Sequence, residues 1–280
     1  MKEAVSAVNL QKVVGKRKEE VQDLVVKEVP LEIRIKFFNG IEFVEKRLVV
    51  TMRTPGNDFE LAAGFLLTEG IIYSHSDIDK IFYCEEIKSK EEEGNVLIVV
   101  LQKSLEISDS IFNRNFYVNS SCGVCSKSSI ESIHTLSKNE LKKDFIVVPY
   151  EIIHSIPVHS IHQQDVFKHT GGLHASVLLD SIGKALITRE DIGRHNALDK
   201  LIGALISLKI DVSDKILFVS GRAGFELVQK CIVIGIPIMI SVGAPSSLAV
   251  DLAKEYGLTL IGFANGEKFN VYSGSQRLSV

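Results

Sequence analysis

The sequence has no excess of basic residues, no long hydrophobic run and few cysteines. Its formal net charge is −3, with both signs mixed along the 280 residues, so it lacks the basic stripe with which proteins bind nucleic-acid phosphates. No apolar run reaches the roughly 18 residues of a membrane span, and the first twenty residues lack the apolar core of a secretory signal. We therefore expect no nucleic-acid partner, no membrane association and a cytoplasmic location.

Two of the four cysteines stand together in the segment VNSSCGVCSKSS, residues 118–129. Cytoplasmic thiols are kept reduced, which favours a reactive or metal-binding pair over a structural disulfide. The C-x-x-C spacing brings Cys122 and Cys125 close together, and a helix predicted over 128–136 would start just after them. A neighbouring thiol or helix N-terminus lowers a cysteine pKa. By itself the pair is compatible with redox exchange, metal binding or sulfur transfer.

The first half of the chain has a strand-rich pattern. Residues 1 to about 20 are polar and predict a frayed terminus. Alternating apolar residues on both sides of Asn39-Gly40 predict a β-hairpin, residues 58–69 predict a helix, and 78–87 with 95–101 predict two more strands. Cys84 falls in the first of these strands and is expected to be buried. We predict a flexible segment at 1–20, a small α+β region at 21–115 with part of 130–165, a mobile cysteine loop at 116–129 and an α/β domain at 166–280.

The second half alternates strands and helices. Apolar residues recur at helical spacing after Arg194, and from Lys215 onward the order strand, helix, strand, helix, strand predicts a parallel sheet covered on both faces. Small and polar residues follow three successive strands, at 220–222, 241–246 and 263–266. Ligands of such sheets lie beyond the carboxyl ends of the strands, where helix N-termini favour anions. A phosphate-bearing ligand is expected there, although no P-loop or G-x-G-x-x-G motif is present.

Two further polar groups are expected along the same edge. The first group precedes a predicted strand, and the second lies at the start of the helix predicted near Arg194. A helix-capping role would account for Asp191 or Asn196 in the second group, but not for Arg194 and His195. The members of the two groups are His169, Thr170, Gly171, Gly172 and His174, and Asp191, Arg194, His195 and Asn196.

A zinc site is the main rival interpretation of the cysteine pair. Cys122, Cys125 and one of the histidines at 169, 174 and 195 could supply ligands, but these histidines lie in separate segments and no second close cysteine pair follows. A zinc deaminase would place His-x-Glu before Pro-Cys-x-x-Cys, whereas His174 follows the cysteines and precedes Ala-Ser. A dithiol oxidoreductase would carry its C-x-x-C near the start of a thioredoxin-like domain.

Several motifs together resemble one family. They are CGVC at 122–125, FKHTGGLHASVLLD, REDIGRHNALDKLIG, SGRAGFELVQK and the segment from GIPIMISVGAP to FNVYSG. In order and spacing they are similar to the FdhD family of formate dehydrogenase accessory sulfurtransferases, from about Glu32 to the C-terminus. The resemblance implies a small α+β region joined to a cytidine-deaminase-like three-layer α/β domain that lacks the zinc site.

The resemblance also implies an activity and its partners. Family members take sulfur from a cysteine desulfurase and pass it to the bis-molybdopterin guanine dinucleotide cofactor (Mo-bis-MGD), which formate dehydrogenase needs for activity. Cys122 then corresponds to the persulfide-bearing cysteine, and Cys125 to its partner. The expected protein is a nucleotide-binding homodimer with no metal of its own. Two alternatives stay open: a chaperone that binds the molybdenum cofactor without sulfur chemistry, and a zinc-binding C-x-x-C protein.

The cofactor-binding stretch of the family corresponds to FANGEK, residues 263–268. Two departures are Ser126, where the family usually has glycine, and 265–267, which often carries an arginine in the family. Arg222 and Lys268 are the candidate cations for the pyrophosphate. The full predicted cofactor-binding set is Phe263, Ala264, Asn265, Gly266, Glu267, Lys268, Ser220, Gly221, Arg222, Gly243, Ser246, His169, Thr170, Gly171, Gly172, His174, Asp191, Arg194, His195 and Asn196.

Overall fold

The structure is a computed structural model and describes residues 4–107, 111–112, 141, 146–161 and 166–280. The predicted cysteine loop at 116–129 and the helix predicted over 128–136 lie outside these residues. None of the helices within the described ranges is long and apolar enough to cross a membrane. The division of the chain into domains stays a prediction.

The chain begins with a two-stranded antiparallel hairpin, which we call the arm. Strand β1 (Val5–Val14) pairs with β2 (Arg17–Val26) over ten residue pairs, and Gly15 takes the positive φ of +62° in the turn between them. The frayed terminus predicted for residues 1 to about 20 is wrong from Val5 onward. The polar run that suggested fraying belongs to an exposed strand whose backbone groups pair with the neighbouring strand.

A four-stranded sheet with the order β4-β3-β6-β5 follows the arm. Its strands are β3 (Val29–Phe38), β4 (Phe43–Arg53), β5 (Ile78–Tyr83) and β6 (Val96–Leu101). The predicted hairpin at Asn39-Gly40 is confirmed, and the Asn39 side chain accepts hydrogen bonds from the amides of Ile41 and Glu42, both at 2.9 Å. Cys84 lies just beyond β5 and is only partly buried. The expectation that it is buried within a strand is therefore wrong, because the strand ends at Tyr83.

The second sheet has six strands in the order β13-β12-β11-β10-β8-β9. A separate short parallel pair joins β7 (Val148–Pro149) to β14 (Leu278–Ser279). The strands of the sheet are β8 (His174–Leu179), β9 (Ala185–Asp191), β10 (Ile216–Val219), β11 (Ile238–Ser241), β12 (Thr259–Gly262) and β13 (Asn270–Ser273). The predicted parallel arrangement is confirmed for β10, β11 and β12, whereas β8, β9 and β13 pair antiparallel.

Helices cover this sheet on both faces. They are α2 (Tyr150–Ile161), α4 (Arg194–Leu208), α5 (Phe225–Ile234) and α6 (Ser247–Glu255). Helix α1 (Asp58–Thr68) packs against α4 and against β5 and β6 of the first sheet, and the short helix α3 (Phe167–Thr170) contacts β2 of the arm. Alternate residues of β10 face opposite layers: Leu217 packs in the core with α4, α5 and α6, and Phe218 packs in the core with α2. Because successive side chains of a strand point to opposite faces of the sheet, each face packs against its own layer of helices.

Helices α1 and α4 join the two sheets by crossing in backbone contact. A Cβ on Gly64 would lie 1.9 Å from the Asp199 carbonyl oxygen, and one on Gly203 would lie 1.9 Å from the Glu60 carbonyl oxygen. Only glycine permits this approach. A buried ion pair between Lys230 of α5 and Asp199 of α4, at 2.6 Å, lies beside the crossing.

Candidate functional site

The carboxyl ends of β10, β11 and β12 meet at one edge of the second sheet, which we call the sheet edge. Strand β8 runs antiparallel to β10 and therefore starts there, at His174. The Ser220 amide donates to the Ala175 carbonyl at 3.0 Å, and the Ala175 amide donates to the Ser220 hydroxyl at 2.9 Å. Residues after β10 thus lie beside the first residues of β8.

Glycines allow the strand-end segments to pack closely. A Cβ on Gly221 would lie 3.3 Å from His174 Nδ1, and a Cβ on Gly243 would lie 2.8 Å from Arg222 Cγ and 2.9 Å from its Cα. The Gly243 amide donates to the Gly221 carbonyl at 3.1 Å. The predicted residues at 220–222 and 243 are therefore neighbours.

The predicted stretch 263–268 is a turn against the same segments. The Phe263 amide donates to the Gly243 carbonyl at 3.2 Å, and the Asn265 side chain accepts from the amides of Glu267 and Lys268 at 2.9 and 2.8 Å. Phe263 has a φ of +53° and is 45% exposed. A bulky residue in this left-handed region is strained, which is common at ligand sites. Ala264 is buried, and Gly266 approaches Val158 of α2.

Positive charge gathers at the sheet edge. Arg194 lies near Gly221, since a Cβ there would be 3.6 Å from Arg194 Cδ, and the charge of Arg222 acts on Arg194. Burial is the larger cause that lowers the pKa of Arg194, and the charge of Arg222 lowers it further. Burial likewise lowers the pKa of His174, helped by Arg194 and His195. His195 Nε2 lies 3.0 Å from the Glu226 carboxylate of α5.

A cavity of about 390 Å³ opens beside these residues. Phe167, Gly171, Gly172, Leu173, His174, Phe218, Ser220 and Val242 line it. Four of the predicted residues, Gly171, Gly172, His174 and Ser220, are thus brought together at one concave surface. His169 is exposed on α3, and the Thr170 hydroxyl donates within that helix to the Val166 carbonyl at 2.9 Å. Ser246 serves as the cap of α6, because its hydroxyl accepts from the Ala249 amide at 3.2 Å.

Asp191 and Asn196 are buried and form hydrogen bonds with the backbone at the end of β4. The Asp191 carboxylate accepts from the Thr54 amide at 3.1 Å and from the Gly193 amide at 2.8 Å, and it pairs with Lys200 at 2.7 Å. Asn196 donates to the Met52 carbonyl at 2.8 Å. Burial raises the pKa of Asp191, against the opposing effect of Lys200. These two residues hold the turn that carries Arg194 and His195.

Lys200 and Thr54 also belong to this buried network, although neither was predicted from the sequence. Lys200 stands four residues after Asn196 on α4. Residues at this spacing lie on the same face of a helix, so the sequence pattern could have placed Lys200 beside Asn196. Thr54 is far away in the sequence, in the break after β4, and nothing in its local pattern indicates a contact with Asp191. Cys122 and Cys125 lie outside the described residues, so their placement relative to the sheet edge stays a prediction.

The sheet edge suits an anionic ligand. Helix α5 begins at Phe225 and α6 at Ser247, directly after the segments that follow β10 and β11. Their N-termini add partial positive charge to that of Arg194 and Arg222. Arginine forks bind phosphate oxygens in pairs. The arrangement can therefore hold a phosphate or pyrophosphate next to the cavity.

Comparisons with known proteins agree on one family. The model of the FdhD/NarQ family matches residues 26–279. Relatives named sulfur carrier protein FdhD include one from Streptomyces coelicolor, 44% identical with 92% of this chain and 90% of the relative covered. A second, from Thermoplasma volcanium, is 42% identical with 93% and 91% covered.

A solved structure has a similar fold. It is the crystal structure of a candidate formate dehydrogenase accessory protein from Desulfotalea psychrophila, with a TM-score of 0.72, 23% sequence identity and coverage of 99% of this chain and 100% of that one. At this identity the likeness concerns the fold. Together with the family match over nearly the whole described chain, the motifs that meet at the sheet edge lead to one conclusion: the chain belongs to the FdhD/NarQ family.

Proposed function

We propose that this protein is a sulfurtransferase that carries sulfur as a persulfide on Cys122. The supporting observation is the similarity, over about nine-tenths of both chains, to proteins named sulfur carrier protein FdhD, in a chain that has the CGVC pair at 122–125. A cysteine desulfurase is the proposed donor. The recipient is the Mo-bis-MGD substrate, which would be sulfurated before it enters formate dehydrogenase.

The loading step needs only a thiolate. Cys122 attacks the terminal sulfur of the donor persulfide, the S–S bond of the donor breaks, and the donor cysteine leaves as a thiolate. Cys122 then holds the sulfur through a new S–S bond. Cys125 is the proposed partner, as a nearby thiol that favours the thiolate form of Cys122. On delivery the S–S bond of Cys122 breaks, the outer sulfur would pass to the Mo-bis-MGD substrate, whose reduced molybdenum would supply the two electrons that bring it to the sulfide level, and Cys122 leaves as a thiolate.

The sheet edge is the proposed binding site for the guanine dinucleotide. Arg222 and Lys268 are exposed and, with Arg194, would neutralise the pyrophosphate, while the turn at 263–268 would contact the nucleoside. The three parallel strands with helices on both faces are consistent with a cytidine-deaminase-like domain. A cytoplasmic homodimer that serves formate dehydrogenase is part of the same proposal.

Intact mass spectrometry after incubation with a cysteine desulfurase and cysteine tests the loading step. We expect the wild-type chain to gain the mass of one sulfur atom, reversibly with a reductant, and Cys122→Ala to gain none. Cys84→Ala is the matched control, since Cys84 is a partly exposed thiol elsewhere in the fold, and it should load as the wild type does. Loading that persists in Cys122→Ala would contradict the assignment of the carrier cysteine.

A further inference from the structure

The arm is an exposed ribbon without a core of its own. Every residue from Gln11 to Glu20 is exposed, including the apolar Val13 and Val14 near the turn, at 58% and 62%. A two-stranded hairpin is marginally stable alone in water. Among the described residues no third strand pairs with the arm, and an unpaired strand edge is a template for another strand. The family model begins only at residue 26, so the arm lies almost wholly outside the region that defines the family. The arm is therefore suited to pair with another protein surface.

The tip of the arm is basic. Lys16, Arg17 and Lys18 are consecutive, follow the turn glycine and are exposed. Their side chains and the two exposed valines form a surface that fits an acidic partner with some apolar character.

The chain has such a surface at residues 85–93, which we call the acidic loop. It contains five glutamates against two lysines, together with Ile87, which is 40% exposed. The end of this loop lies at the base of the arm: Arg53, opposite Val29 in the sheet, donates to the Gly94 carbonyl at 3.2 Å, and Val29 follows the arm after two residues.

Distance prevents the tip from reaching the acidic loop of its own chain. Ten residues per strand at about 3.3 Å per residue give the arm a length of about 33 Å, which separates the tip from the base. If two arms lie side by side and antiparallel, each tip reaches the base of the other. A second copy of this chain therefore supplies the acidic surface at the right separation.

We propose that two copies pair through their arms, edge to edge and antiparallel, so that the two hairpins form a four-stranded sheet. Each basic tip then contacts the acidic loop of the other copy. The contact is self-complementary and closes at two copies. This inference is independent of the proposed sulfur chemistry, and it goes beyond the expectation of a homodimer by assigning the interface.

Charge exchange between two variants of the full chain tests this interface. The tip variant carries Lys16→Glu, Arg17→Glu and Lys18→Glu; the loop variant carries Glu91→Lys, Glu92→Lys and Glu93→Lys. In either variant alone, tip and loop have the same sign, and we expect the dimer dissociation constant to rise at least about tenfold by sedimentation equilibrium. In a dimer that contains one copy of each variant, every tip meets a loop of opposite sign. An equimolar mixture of the two variants should therefore form this mixed dimer with near wild-type affinity.

A matched control separates this effect from that of net charge. Lys184→Glu, Lys209→Glu and Lys254→Glu change three exposed lysines on other elements and should leave dimerisation unchanged, and circular dichroism verifies that all variants fold. The proposal is overturned if the wild type stays monomeric at all concentrations. It is equally overturned if either variant dimerises as the wild type does, or if the mixture shows no recovery.

Discussion

Gly243 shows how a single residue shapes the sheet edge. Its missing side chain lets the segment after β11 lie against Arg222 in the segment after β10, with Arg222 atoms within 3.1 Å of where a Cβ would be. Two of these atoms, the Cα and the amide nitrogen, belong to the backbone. The position of the Arg222 guanidinium therefore depends on Gly243, although this glycine has no side chain with which to contact a ligand.

We expect Gly243→Ala to weaken guanosine diphosphate binding by about tenfold or more, because the added methyl group must displace the Arg222 backbone, and a charge-assisted hydrogen bond contributes about 1.5–3 kcal/mol. Isothermal titration calorimetry measures the loss. Gly224→Ala is the control on the same edge: its φ is −75° and nothing lies within 4 Å of the added Cβ. Equal affinities of the two variants would argue against Arg222 as a phosphate ligand.

At the scale of elements, the crossing of α1 and α4 connects the first sheet to the second. Backbone contact at Gly64 and Gly203 leaves no room for a side chain, and buried polar groups beside the crossing, such as Lys200 bonded to the Thr54 carbonyl at 2.8 Å, tie β4 to α4. The same helix carries Arg194 and His195 in its first turn. The crossing thereby sets the position of these side chains at the sheet edge.

We expect Gly203→Ala to lower the free energy of unfolding by about 3 kcal/mol or more, since a Cβ 1.9 Å from a backbone oxygen forces the two helices apart. Urea unfolding followed by circular dichroism measures the change. Gly224→Ala, at an unobstructed helix start, should change the stability little. A Gly203→Ala variant as stable as the wild type would show that the helices can separate at low cost.

Local patterns predicted the elements that are formed by neighbouring residues. The hairpin at Asn39-Gly40, helix α4 and the parallel strands β10 to β12 follow from periodicity and turn residues. The arm was missed because its charged residues resemble those of a disordered terminus. The inward direction of Asp191 was not predictable, because its partner Thr54 lies in a distant segment and tertiary contacts decide which way a polar side chain faces.

At the scale of the whole molecule, charge is unevenly distributed. The chain has a net charge of −3, while Arg194, Arg222 and Lys268 gather near one edge of the second sheet. A local positive potential on a negative protein would guide the proposed anionic ligand toward that edge. The arm and the acidic loop form a second charged pair, in the N-terminal part of the chain, so the proposed dimer contact and the proposed nucleotide site use different surfaces.

Radiolabelled sulfur followed through one cycle tests whether this protein carries the sulfur that the cofactor receives. The protein is loaded from labelled cysteine by a cysteine desulfurase, separated from the donor, and mixed with Mo-bis-MGD and formate dehydrogenase that lacks cofactor. We expect the label to leave Cys122 and appear with the cofactor as formate dehydrogenase becomes active, and we expect Cys122→Ala to support neither. Activation by Cys122→Ala, or activation while the label stays on the protein, would contradict a sulfur-carrying role and favour a chaperone that only delivers the cofactor.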